Sequence, residues 1–163
     1  MAYATDGTVG ADFASTTTGT TTDGANAKFT LGTQVTANDG STWLYVQAGE
    51  ALTQYAALAI DENFQAMKLT HALASAGQKI GFAQVAFADN DLGWVCVNGM
   101  NISSLLLINC AADVPLYTQA TAGYLDDASV TSSVKLDGVV LVSTITASGG
   151  FEIIATFPRS ATI

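Results

Sequence analysis

The stretches STWLYVQAG, residues 41–49, and DLGWVCVNG, residues 91–99, decide the fold. Each runs Trp, hydrophobe, a third residue, Val and an amide, and each closes on a small residue. Aromatic and β-branched side chains fit a pleated, half-buried surface, so both stretches read as strands with aromatics on one face and valines on the other. The matched order suits either an internal duplication or two equivalent strands. Indoles are enriched at interface centres, so the two strands suit either a paired wall of one barrel or a seam between protomers.

Working outward, short apolar runs recur between turn signals at the spacing of an all-β sandwich or barrel. KFTLGTQVT precedes ANDG, whose Asp39-Gly40 is a hairpin signal because glycine tolerates positive φ. LTQYAALAI, the turn DEN and FQAMKLTHA follow, then GQKIGFAQVAFA with Ile80 and Phe82 on one face and Gly81 and Ala83 on the other. Asp89-Asn90-Asp91 turns the chain into the second Trp strand, and after NGMN a separate run, ISSLLLINC, is expected. Pro115 lacks an N–H to donate to a ladder and marks an edge or strand start. VKLDGVVLVSTIT and FEIIATFP, joined by ASGG, form a last hairpin. The expectation is about nine short strands, with helical turns confined to residues 50–59 and 65–75, because no sustained 3.6-residue stripe occurs.

Residues 1–28 differ from this body, residues 29–163. They are rich in Thr, Gly, Ala and Asp and nearly devoid of large apolar side chains. Such a segment buries too little surface to offset its ordering entropy and reads as a flexible arm, ordered only by a partner. Fully extended it would reach about 90–100 Å.

Only 12% of the residues are charged, against about 25% in ordinary proteins, and the net charge is −9. A surface so poor in charge is covered by Thr, Ser, Asn, Gln and Gly, or by another protein. The five cations, Lys28, Lys68, Lys79, Lys135 and Arg159, are scattered, whereas phosphate binding takes clustered Lys and Arg. Nucleic acid and anionic membranes are therefore not expected partners. No basic segment followed by an apolar run opens the chain, and no apolar run is long enough to span a bilayer, so a protein made without secretion is expected.

No constellation of catalytic residues stands out. Cys96 and Cys110 lack CxxC spacing and, with His71 as the only imidazole, cannot build a four-ligand zinc site. They read as buried thiols, with a disulfide as the alternative. His71 has no GxSxG elbow or nucleophilic Cys near it in sequence and reads as a surface or core-edge side chain. Asp61-Glu62, Asp89-Asn90-Asp91 and Asp126-Asp127 fall in expected turns, where acids bond the local backbone; weak calcium binding is the residual reading. Neither a metal nor a cofactor is expected.

With the strands laid out, the block from Gly40 to Arg159 resembles the small all-β head-decoration proteins of bacteriophages, also called capsid cement proteins. The residues that carry the resemblance are WLYVQAGEALTQYAALAI, GQKIGFAQVAFADNDLGWVCVNG, VPLYTQATAGYLDD, KLDGVVLVST and IIATFPR. The resemblance implies a non-enzymatic β-barrel or tulip-like domain, a homotrimer in many members. It implies docking on the outer surface of the virion shell against the major capsid protein, after synthesis in the host cytoplasm. The candidate interface residues are Tyr3 and Phe13 in the arm, Phe29 at its junction with the body, Trp43 and Trp94 in the paired strands, and Phe157 and Arg159 in the closing strand. The alternative is a fibre-tip module gripping host glycans through Trp43, Trp94 or Tyr124; a small hydrolase rests only on the scattered acids.

Overall fold

The computed structural model describes residues 10–19 and 27–161. The chain is all-β apart from one short helix. Its strands are β1 (Gln34–Thr36), β2 (Thr42–Ala48), β3 (Ala57–Ile60), β4 (Gln65–Lys68), β5 (Lys79–Phe82) and β6 (Leu92–Leu106), followed by β7 (Pro115–Thr118), β8 (Tyr124–Asp126), β9 (Lys135–Leu141) and β10 (Gly149–Ser160). Helix α1 (His71–Ser75) follows β4. It lies within the expected 65–75 window and is capped by Thr70, whose hydroxyl accepts from the Leu73 N–H at 3.3 Å. The other window, residues 50–59, instead holds a turn and the start of β3.

Strands β2, β4, β3, β5 and the first half of β6 pair in turn, and β6 pairs back to β2, closing a five-stranded barrel. The second half of β6 pairs with β10, then β9, β7 and β8, and β8 returns to β6 through Leu105 and Leu106. One long strand is thus common to two closed circuits of pairing.

The two Trp strands are direct neighbours. In antiparallel register, Trp43 faces Cys96 and Tyr45 faces Trp94, so the paired-wall reading holds within one chain. Every residue of β2 is buried. On one face Leu44, Val46, Val95 and Val97 join Leu58 and Ile60 in one core. On the other, Trp43, Tyr45, Trp94 and Cys96 join the apolar residues of the second circuit, Leu106, Leu116, Leu136 and Ile153 among them. A strand buried on both faces reads as a continuous apolar run, and WLYV is one.

Several turns lie where the sequence places them. Gly40 closes the β1–β2 hairpin at φ +81, while Asp39 accepts from the Ser41 N–H at 2.9 Å. Asp61 caps the β3–β4 turn by accepting from the Asn63 and Gln65 N–H groups. Pro115 opens β7. Strands β9 and β10 pair as the expected hairpin, but their connection is residues 142–148 rather than ASGG: β9 ends at Leu141, and Gly149-Gly150 already belong to β10.

Three expectations need correction. NGMN is not a turn: Asn98 to Asn101 lie inside the 15-residue β6, because pairing with β2 before them and β10 after them carries the strand through, with Asn101 at φ +61. GQKIGFAQVAFA is strand only over residues 79–82; beyond it Ala83 makes two backbone bonds to Tyr55 and Ala56, and Phe87 exchanges two with Leu52 as an isolated bridge. KFTLGTQVT is strand only over 34–36, since Leu31-Gly32 forms a turn.

Residues 10–19, which fall in the expected flexible arm, lie on the body. Thr17 exchanges two backbone hydrogen bonds of 2.8 Å with Leu92, the Thr16 hydroxyl donates to Asp91, and Phe13 is buried. The boundary expected at residue 28 does not set this segment apart. Residues 1–9 and 20–26 of the expected arm lie outside the described residues.

Candidate functional site

The first cluster is aromatic. Phe13 stacks on Trp43 with ring centres 4.4 Å apart and planes 11° from parallel, and meets Trp94 edge-on at 5.7 Å. Phe29 packs against Tyr45 and Trp94 at 5.3 and 5.1 Å. Trp43 is anchored at its polar end as well, its indole N–H donating to the Ser41 hydroxyl at 2.7 Å. Trp43, Trp94 and Phe13 are 5%, 2% and 7% exposed, so in this fold none offers a ring face to a glycan or to a partner. Three of the candidate interface residues are therefore core residues of the chain itself, and Phe29 is half-buried beside them. Tyr3 lies outside the described residues.

The cysteines are both buried and both free. Burial pushes the Cys96 thiol up to about 12. Cys110 is raised to about 11, by burial first and then by the negative charges of Asp126 and Asp127. Cys110, Asp126 and Asp127 bring their ligand atoms within 4.8 Å of one another and form the one group of metal-ligating type among the described residues. Their bonds are local. The thiol donates to the Leu107 carbonyl and to Asp126, while Asp127 accepts from the Ala111 N–H at 2.8 Å. These bonds tie the loop after β6 to the end of β8.

His71 has its Nδ1 2.7 Å from the Thr118 hydroxyl, which accepts from the Val134 N–H, so the imidazole sits at a junction between α1, β7 and the approach to β9. A nearby cleft of about 390 Å³ is lined by Ser75, Ser132, Ser133, Val134, Ser160 and Ala161, among others. Among the described residues its lining provides hydroxyls and no titratable side chain.

The remaining two candidates, Phe157 and Arg159, are exposed. Between Ala155 opposite Val139 and Arg159 opposite Asp137, the three residues Thr156, Phe157 and Pro158 face the single Gly138. This bulge bends β10 and turns Phe157 out, 56% exposed, while Pro158 is buried. Gly138 makes the bulge possible, since it sits at φ +79 and a Cβ there would lie 2.6 Å from the Thr156 carbonyl oxygen. Within β9, which faces the bulge, Lys135 and Asp137 form an ion pair of 3.1 Å. The sequence marks this strand end by its Phe-Pro-Arg triplet; nothing in it signals the bulge, because the two extra residues show only when β9 is laid alongside.

No helix among the described residues is long and apolar enough to cross a membrane. Set beside known protein families the chain matches no family model, and no curated protein matches it.

Proposed function

We propose that the chain is a structural virion protein, a capsid decoration protein that binds the outer surface of a phage shell through the major capsid protein and stabilises it. The resemblance of residues 40–159 to that class motivates the reading, and the docking of residues 10–19 is the observation that carries it. A segment almost without large apolar residues is held on a sheet by one aromatic, one pair of backbone bonds and a hydroxyl bonded to Asp91. The same contacts serve a strand laid along a neighbouring subunit, where main-chain pairing supplies affinity and a few side chains supply register. Repetition over a lattice turns such modest contacts into avid binding. The charge-poor, Thr- and Ala-rich composition suits a broad protein contact, and assembly as a homotrimer belongs to the same reading.

Cosedimentation with empty shells of the phage that carries the protein tests it. The full chain should saturate at a fixed ratio to the major capsid protein, and a chain lacking residues 1–9 should bind less. Full-length protein left in the supernatant at saturating shell concentration would overturn the assignment. Removing residues 1–28 is a poorer test, because it also strips Phe13 from the core.

A further inference from the structure

Three aromatic residues hold the left-handed backbone conformation: Tyr55 at φ +67, Phe64 at φ +60 and Phe157 at φ +43. Bulky side chains avoid this region, so each instance calls for a local reason. For two of them the reason lies within the chain. The Tyr55 ring rests on Gly150 and the Phe64 ring on Gly32, so closely that a Cβ on either glycine would clash with the ring. In both cases the positive φ accompanies an aromatic ring laid against a glycine, and both rings pack against the barrel core.

Phe157 has the same backbone feature and no such seat. Its side chain is 56% exposed, at the tip of a bulge held by a buried proline and by a glycine that alone fits opposite it. A single exposed apolar residue is ordinary in itself. One presented by an unfavourable backbone conformation, at a site shaped to present it, is not. The surroundings are also unusual for this molecule, because two of its five cations lie on one side of the bulge in a chain of net charge −9: Arg159 borders it, and Lys135 lies opposite Ala161. Arg159 is exposed, and its ladder neighbour Asp137 is already paired with Lys135.

We propose that Phe157 is a docking knob whose seat lies on a partner protein, a shallow apolar recess with an acidic rim that receives the phenyl ring and pairs with Arg159. Charge complementarity sets that chemistry. The proposal rests on the decoration reading, and the seat is then a recess of the major capsid protein. The ring supplies the buried anchor and Arg159 the orientation, the combination in which aromatic and arginine side chains dominate binding energy.

The test compares three chains for binding to the same empty shells: wild type, Phe157→Asn and Arg159→Glu. Asparagine tolerates the left-handed conformation, so Phe157→Asn should leave the thermal midpoint unchanged or raise it, while weakening binding about tenfold or more. Arg159→Glu should weaken binding and flatten its dependence on salt. Wild type and Phe157→Asn binding equally well would overturn the knob and leave the decoration reading standing; wild type failing to bind would overturn the decoration reading itself. A lowered midpoint in Phe157→Asn would show that the ring works within the fold, against the proposal. Sedimentation velocity of the protein alone completes the test. Self-association of wild type lost in Phe157→Asn would give the seat to a second copy and overturn the capsid partner.

Discussion

Phe13 lies 4.4 Å above the ring of Trp43, nearly parallel to it, and so covers one of the two indoles that the paired strands carry. A segment with almost no apolar content is thereby fixed by its one large side chain.

Phe13→Ala should therefore release the segment. Burial of a phenyl ring and its aromatic contacts is worth about 3 kcal/mol at the low end for core truncation, and the loss is limited because the segment can peel away without opening the barrel. Denaturant unfolding should show that loss, and tryptophan emission should shift to the red with greater quenching by acrylamide. Unchanged emission would mean that other residues cover Trp43.

Ser41 stands between Asp39 and Trp43, donating to the carboxylate at 2.5 Å and accepting from the indole N–H. Ser41→Ala leaves that buried N–H without its acceptor, at a cost of about 1–3 kcal/mol. Ser41→Thr keeps the hydroxyl and should recover most of it. Burial alone would raise the Asp39 carboxyl, but the hydrogen bonds from the Ser41 hydroxyl and N–H, together with its own backbone N–H and the N-terminal charge, hold it below 3.8. A carboxyl lowered on folding stabilises the protein above its unfolded value, so this contribution should fade as pH falls below about 4.

Alkaline pH acts on Cys96 in the opposite sense. The folded thiol, raised by burial from 9.0 to about 12, keeps its proton where the unfolded chain has lost it. Its stabilising contribution is complete below pH 9 and declines by about 1.4 kcal/mol per pH unit as pH rises toward 12. Unfolding midpoints of wild type and Cys96→Ala, measured from about pH 8 to 11, should converge as pH rises. Parallel curves would show the thiol ionising in both states alike.

Much of the barrel is legible in the sequence because its strands are apolar, β-branched and bounded by Asp, Asn and Gly. Trp43 to Val46 and Trp94 to Val97 read as strands at once. Partnership between strands is harder to read: Asn98-Gly99-Met100-Asn101 looks like a turn, and only the pairing of Thr42 with Asn98 and of Ala155 with Gly99 keeps it extended. Residues 10–19 look unable to fold because the anchoring surface, Trp43 and Leu92, lies far along the chain. Exposure divides the candidate interface for the same reason. Alternation tells that an indole faces one side of a strand, yet in a molecule where both sides are covered that side is not solvent. Phe157 and Arg159 are implied by the resemblance through the closing segment IIATFPR, whereas the glycine seats of Tyr55 and Phe64, which make Phe157 an exception, join residues distant in sequence.

Strand β6 also sets how this protein must come to be folded. Its first half waits for β2, about fifty residues upstream, and its second for β10, about fifty residues downstream, so neither circuit can close from neighbouring segments alone. Ordering loops of that length before any contact rewards them places the chain among slow folders, in the range of milliseconds to seconds. Because each half of β6 supports the other's register, the two circuits should melt in one transition, and a cut after Gly99 should leave two fragments with no fold rather than two smaller barrels.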